Sequence, residues 1–226
     1  MNIAIIPAKE KSQRIKNKNI KNFNGKPILY WSILAAKKSK LFKDIYVSTD
    51  SRKIANLAIK FGAKVSFPRP KKISNAYARI IDVIKYEIKL LEKKKIKFNN
   101  ICCIFAAAPF IERNSLIEGY KLIKKNKFRG FVFVANKIEK KYLRGFYLEH
   151  NKLNLINSKY KNIRTQDLPN SYIDAGQFYW GSKNLWKIKK SVFTKNSSIV
   201  VLPRSKSVDI DTMKDWKDAE LYAKKK

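Results

Sequence analysis

Asn2-Ile3-Ala4-Ile5-Ile6-Pro7-Ala8-Lys9-Glu10-Lys11-Ser12-Gln13-Arg14-Ile15-Lys16-Asn17-Lys18-Asn19 carries the architecture of this chain in miniature. Its opening apolar run, Asn2 to Ile6, is long enough for one buried strand and too short for a core helix. The residues from Pro7 onward offer four lysines, an arginine, a serine and two asparagines with almost nothing apolar. A buried strand that delivers a donor-rich loop at its C-terminal end is how open α/β sheets build a polyphosphate site. The loop taken alone reads equally well as a solvated basic segment in a lysine-rich chain.

Outward from this unit, strand and helix signals alternate, as in an α/β fold. Gly25-Lys26-Pro27 opens a helix through about Lys38, with Pro27 near its first turn. Ile45 to Thr49 reads as a strand, Asp50-Ser51 as the cap of a helix to about Phe61, and Gly62 as its end. Lys64 to Phe67 is a short strand before Pro68-Arg69-Pro70, and an amphipathic helix runs from about Tyr77 to Lys94. Ile101-Cys102-Cys103-Ile104-Phe105 has the unbroken apolar character of a strand inside a parallel sheet. Ser115 lies near the start of another helix, and Gly130 to Val134 is a further strand. Phe146-Tyr147-Leu148 against Leu153-Asn154-Leu155 then reads as a β-hairpin, followed by an irregular stretch to Pro169. The sheet resumes at Gly176 to Trp180 and at Ser198 to Leu202. A last strand, Ser207 to Ile210, leads to a helix capped by Thr212 with Asp215 three residues on.

The 226 residues suit one α/β domain over 1–226, interrupted by an arm at about 140–172. A chain of this length buries roughly 70% of its unfolded surface and needs neither disulfides nor metal to hold a core. No stretch approaches the ~20 apolar residues of a membrane helix, and no signal pattern precedes the first strand. A cytoplasmic enzyme is expected. Net charge is the outlier: 51 Lys+Arg against 17 Asp+Glu gives +34. Such a charge attracts polyanions nonspecifically, yet the lysines are spread along the chain rather than gathered in a tail or stripe. Cys102 and Cys103 are neighbours on a strand and so point to opposite faces, which makes them poor disulfide partners and good small hydrophobes. His150 is the sole histidine and falls in the hairpin turn, so a triad or zinc site built on histidine is not expected.

Asp209-Ile210-Asp211 is the next constellation with chemical content. On a strand, residues i and i+2 share a face, so both carboxylates can converge on one point and, with water and phosphate, hold Mg²⁺. The alternative gives Asp211 to the helix cap and leaves Asp209 in solvent. Ser48-Thr49-Asp50 ends a strand at the same sheet edge, where hydroxyls and a carboxylate can hold a ribose or place a metal; helix capping accounts for Asp50 equally well. Arg164-Thr165-Gln166 pairs a guanidinium with an amide, a combination able to grip a carboxylate.

Over nearly the full length these segments resemble one family. Ile6-Pro7-Ala8-Lys9, then Ser12, Arg14 and Lys18-Asn19, is similar to the opening of sugar-acid cytidylyltransferases. Ser48-Thr49-Asp50, Arg69-Pro70, Arg164-Thr165-Gln166-Asp167-Leu168-Pro169 and Asp209-Ile210-Asp211-Thr212 fall in that family's order and spacing. Asp174-Ala175-Gly176-Gln177-Phe178-Tyr179-Trp180-Gly181, Cys102-Cys103-Ile104 and Ala108-Pro109-Phe110 are similar to its pseudaminic acid branch. The resemblance implies a single Rossmann-like nucleotide-binding domain of the nucleotide-diphospho-sugar transferase type, with a mostly parallel sheet and a hairpin dimerisation arm. It implies transfer of CMP from CTP to the anomeric hydroxyl of a nine-carbon sugar acid, with Mg²⁺ and a homodimer. Lys18 and Asp211 take catalytic roles by this likeness, and Asp209 and Asp211 the metal. Ala8, Lys9, Ser12, Arg14, Asn19 and Arg69 fall to the nucleotide, and Arg164, Gln166, Asp174 and Gln177 to the sugar.

The departures all touch substrate binding. The family's Gly-Gly becomes Glu10-Lys11, which gives up easy access to positive φ and sets a carboxylate beside phosphate. Gln13 replaces a lysine and Lys9 an arginine, trading a fork for a point charge. Ala107 stands where the branch has a threonine, and Ala76 where the family usually has an aspartate. Sialic or legionaminic acid is the alternative substrate. A weakened or noncatalytic homologue that binds nucleotide is the alternative to activity.

Overall fold

Side-chain alternation along the first apolar run puts Ala4 and Ile6 in one core and Ile3 and Ile5 in another, all without exposed surface. The computed structural model, which describes residues 1–224, builds the run into strand β1 (Asn2–Pro7). The last two residues of the expected domain lie outside the described ones. Two short strands, β2 (Asn22–Phe23) and β3 (Lys26–Pro27), precede α1 (Ile28–Ser39). Then come β4 (Asp44–Ser48), α2 (Arg52–Lys60), β5 (Lys64–Ser66), α3 (Ile80–Lys93), β6 (Asn100–Ile104), α4 (Arg113–Lys125) and β7 (Val132–Ile138). The hairpin strands are β8 (Phe146–Glu149) and β9 (Lys152–Leu155). The chain closes with β10 (Ser171–Ser182), α5 (Lys183–Ile188), β11 (Ser198–Val201) and α6 (Met213–Lys224).

The main sheet has seven strands in the order β11-β7-β10-β6-β1-β4-β5. All neighbours run parallel except β10, which is antiparallel to β6 on one side and β7 on the other. Helices cover both faces, as a mostly parallel sheet requires. Leu29 and Ile33 of α1, Ile54 of α2 and Leu116 of α4 fill one core; Ile84 and Ile88 of α3 and Trp186 of α5 fill the other. Cys102 lies in the first core and Cys103 in the second, both buried and unbridged, as adjacent strand residues must be. No helix among the described residues is long and apolar enough to cross a membrane.

A third, smaller core sits beneath the C-terminal edge of the sheet. Ile15 from the basic loop, Phe23, Ile28, Phe110, Ile210 and Trp216 of α6 pack together there, with the Phe23 ring edge-on to both Phe110 and Trp216.

Two sequence expectations need correction. Ser207 to Ile210 is not a strand: β7 is already paired on both edges, and this segment rests on the third core instead of on a ladder. Ser207 and Ile210, three residues apart, are its buried positions, while Asp209 is exposed and Asp211 half-buried. The strand expected at Gly176 begins at Ser171, and its register with β7 shifts between Asp174 and Tyr179. Gly176, at φ +58°, lies in that irregularity. The hairpin has the expected pairing, Phe146 opposite Leu155 and Leu148 opposite Leu153. His150 and Asn151, both at positive φ, form its two-residue turn.

Candidate active site

Backbone and side-chain anchors give the loop after β1 its shape. The Ala8 N–H donates to Ser48 O at 2.9 Å, carrying the strand register one residue further. Asn19 Nδ2 donates to Lys9 O at 2.8 Å, and the Glu10 N–H to Asp50 Oδ1 at 2.8 Å. Ile15 enters the third core. Asn17, in the left-handed region at φ 55°, turns the chain into a 3-10 turn over Lys18–Ile20, a conformation asparagine accepts more readily than most residues. Lys9, Ser12, Lys18 and Asn19 thereby line a cleft at the C-terminal ends of β1, β4 and β6. Arg69, Phe105, Ala106, Ala107, Gly176 and Asp209 also line it.

Asp209-Ile210-Asp211 forms the acidic side. Ile210 is fully buried against Ile15 and Trp216, so one apolar cluster seats both the basic loop and the acidic segment. Lys18 Nζ donates to Ile210 O at 2.7 Å and lies 3.7 Å from Asp211 Oδ1, while Arg14 pairs with the same carboxylate oxygen at 2.6 Å. Asp215 receives the Thr212 N–H and hydroxyl, and Thr212 Oγ1 receives the Asp215 N–H. This reciprocal capping box starts α6 immediately after the acidic pair. Ile210→Ala is expected to lower the unfolding free energy by about 2–4 kcal/mol. Urea unfolding measures that loss, and hydrogen exchange should speed up in both Arg14–Lys18 and Asp209–Thr212. Exchange confined to one segment would contradict a shared seat.

Asp209 has the unusual electrostatics. Its carboxylate opens onto the cleft, and among the described residues no ion pair or hydrogen bond engages it. The crowded cleft floor strips part of its hydration and Asp211 repels it, so its pKa is pushed up to about 6 against the pull of Lys18. Gly176 lies directly against it, since a Cβ there would stand 3.1 Å from the Asp209 carboxyl carbon. Arg69 is buried, donating from Nε to Ser74 Oγ at 3.0 Å and from Nη1 to Ser48 O at 3.2 Å. Burial lowers its pKa, while Asp50 and Glu87 pull the other way.

The structure brings Lys9, Ser12, Lys18, Asn19, Arg69 and Asp209 to one cleft, with Arg14 and Asp211 joined at its rim. Other expected residues lie elsewhere. Ala8 is buried, and its N–H is committed to Ser48. Gln177 is buried too: its amide donates to Lys206 O at 2.8 Å and braces the turn before Asp209. Asp174 accepts the hydroxyl of Tyr179, whose pKa rises through burial and that carboxylate. Arg164 and Gln166 are exposed in the arm, and Gln166 borders a separate depression with Lys137 and Lys140.

Three local expectations are corrected. Glu10 does not face the cleft, because its carboxylate accepts the Ser51 hydroxyl at 2.9 Å. Asp50 neither caps α2 by its side chain nor opens to a ribose; it holds the Glu10 N–H. The Ser48 and Thr49 side chains are buried. The sequence reading missed the connection before α3, where Ile73, Asn75 and Ala78 line the cleft and Lys9 Nζ reaches Asn75 O at 3.3 Å. The isolated glycine at 176, inside a strand pattern, was the signal available for the bulge against Asp209.

A family model described as cytidylyltransferase matches residues 3–221. The pseudaminic acid cytidylyltransferase of Campylobacter jejuni subsp. jejuni serotype O:23/36 (strain 81-176) is 38% identical over 224 residues, covering 99% of this chain and 96% of the relative. CMP-N,N'-diacetyllegionaminic acid synthase of Campylobacter jejuni subsp. jejuni serotype O:2 (strain ATCC 700819 / NCTC 11168) is 29% identical, covering 96% of this chain and 93% of the relative. Among solved structures, a CMP:2-keto-3-deoxy-manno-octonic acid synthetase complexed with CTP has a TM-score of 0.73. It covers 100% of this chain and 99% of its own at 13% identity, which is a likeness of fold. Matched from its first strand into its last helix, the chain belongs to the cytidylyltransferase family and is a nucleotidyltransferase.

Proposed function

We propose that this protein transfers CMP from CTP to the anomeric hydroxyl of pseudaminic acid or a closely related nonulosonic acid. The carrying observation is a cleft lined by Lys9, Ser12, Lys18, Asn19 and Asp209, in a chain 38% identical to a pseudaminic acid cytidylyltransferase. In the reaction the anomeric hydroxyl gives up its proton and its oxygen forms a bond to the α-phosphorus as the bond to the bridging oxygen breaks, so that pyrophosphate and one proton are released. Such a transfer asks a protein for positioning and charge neutralisation more than for covalent chemistry. Lys18 meets the charge developing at the α-phosphate. Lys9, Ser12, Asn19 and Arg69 hold the nucleotide, with Arg14 at the rim.

Asp209 and Asp211 fit Mg²⁺. They are two carboxylates close enough to raise Asp209's pKa, and Asp209 is open to the cleft. No cluster of three or more His, Cys, Asp or Glu side chains suited to a metal occurs among the described residues. Mg²⁺ bound by one or two carboxylates keeps its other positions for water and phosphate oxygens. When bound there it would neutralise phosphate charge.

Pyrophosphate release from CTP with pseudaminic acid, beside N-acetylneuraminic acid and a no-sugar blank, tests the reading. Release above the blank with pseudaminic acid is expected. Release only with the other acid would move the substrate, and release with neither would favour a noncatalytic homologue. The changed loop and the threonine lost at Ala107 argue for that homologue; of these, Glu10 is held by the Ser51 hydroxyl, while Ala107 lines the cleft.

We further propose a homodimer joined through the arm, with Arg164, Gln166 and Asp174 serving sugar binding once the arm is seated. Phe146, Leu148 and Leu153 on a two-stranded hairpin, and Ile156 just after it, are each at least 59% exposed. An isolated hairpin of that size is marginal in water, so a second copy is its expected cover. Leu148→Asp is expected to convert the dimer to a monomer by light scattering, whereas an unchanged mass would place the interface elsewhere. A cytoplasmic location accords with the use of CTP. Attraction to nucleic acid through the +34 charge should fade above ~0.15 M salt.

A further inference from the structure

Among the described residues only one acidic side chain, Glu87, and one basic side chain, Arg69, are buried, and each feels the other's charge. Glu87 occupies the apolar stripe of α3 between Ile84 and Ile88, where a hydrophobic residue would pack without desolvating a charge. Register explains what it faces. Ser48 is opposite Ser66, and Ser48 lies two residues from Tyr46, which packs against Ile84 and Ile88 of α3. The two serine hydroxyls therefore point toward the helix face that carries Glu87. They stand near enough to favour its ionised form while lying outside hydrogen-bonding geometry, and both Glu87 oxygens lack a protein hydrogen bond. The Ser48 carbonyl accepts from Arg69 Nη1, while its hydroxyl, on the side of Glu87, makes no hydrogen bond among the described residues. Asp50, the other acid near Arg69, is committed to the loop through the Glu10 N–H.

We propose that Glu87 is a positioning residue, the buried counter-charge that holds the Arg69 guanidinium at the floor of the cleft. The inference rests on the reading of Arg69 as part of the CTP site. Buried charges are tolerated when paired, and replacing such a pair by apolar residues often stabilises a fold. A charge kept in an apolar stripe behind a ligand-lining arginine is therefore accounted for by orientation of that arginine. Burial raises the Glu87 pKa, and the two hydroxyls and Arg69 oppose that rise.

Calorimetric titration of the full-length chain with CTP and Mg²⁺ tests this, using Glu87→Gln, Ser66→Ala, Arg69→Met and the Glu87→Gln/Arg69→Met pair. Glu87→Gln should weaken CTP binding by roughly 5- to 10-fold. Its kcat should stay near wild type and its Tm should be equal or higher, whereas a merely structural role would lower Tm and spare KM. The double variant should bind CTP no worse than Arg69→Met alone. Ser66→Ala should weaken binding in the same direction and carries the test if Glu87→Gln does not fold. Unchanged affinity in Glu87→Gln or Ser66→Ala beside a weakened Arg69→Met would overturn the role of Glu87 alone. Additive losses in the double variant would do the same. Unchanged affinity in Arg69→Met would overturn the placement of Arg69 at CTP and the inference with it.

Discussion

Lys18→Ala should cut kcat for pyrophosphate release by about 10²- to 10³-fold, the usual loss when one preorganised charge donor leaves a transition state. The side chain is only 22% exposed, and its ammonium is held 2.7 Å from Ile210 O and 3.7 Å from Asp211 Oδ1. It therefore meets the phosphate already oriented, with little reorganisation left for the reaction. The same contacts suggest a rival explanation, that Lys18 merely ties down the acidic segment. Lys18→Met separates the two, because it keeps most of the stem while removing the charge. A large kcat loss with an unchanged CTP Kd and a Tm within a few degrees of wild type supports charge stabilisation. Turnover within a few-fold of wild type would remove the role given to this lysine.

The sheet was legible because its signals are local. Apolar runs, a glycine after a helix and two adjacent cysteines need only strand or helix periodicity to be read, and Cys102 and Cys103 divide between the two cores as that periodicity demands. The Thr212–Asp215 capping box is equally local. Ser207 to Ile210 failed for the opposite reason. A strand needs a neighbour with free backbone groups, and here Lys18 takes the Ile210 carbonyl instead.

Within the site, legibility followed the same division. The basic loop and the acidic pair were found from residue type, yet the aim of each side chain is tertiary. Glu10 was expected beside phosphate, and the Ser51 hydroxyl draws it away. Asp50 was read as cap or ribose ligand, and its carboxylate instead fixes the loop it faces. Glu87 was invisible from sequence, since a glutamate in an amphipathic helix reads as solvent-facing until strand register sets two serines opposite it.

Asp209→Asn is expected to lower turnover by at least about 100-fold. It should also raise the Mg²⁺ concentration needed for half-maximal rate, without weakening the fold at pH 8. The sign of the stability effect follows from the direction of its shift. A carboxyl whose folded pKa is about 6, against an ordinary 3.8, holds its proton more tightly when folded. Its stabilising contribution is complete below 3.8 and is lost as pH rises through about 6. At pH 8 the ionised group is opposed by partial burial and by Asp211, and the amide relieves both. The gain should be about 1 kcal/mol, kept small because the carboxylate opens onto a wet cleft. The variant and wild type should thus melt together at pH 4 and apart at pH 8, with the variant higher. Mg²⁺ at pH 8 should raise the wild-type Tm and leave the variant's nearly fixed. A variant that melts lower at pH 8, or gains as much from Mg²⁺ as wild type, would show that Asp209 is held for packing against Gly176 and not for its charge.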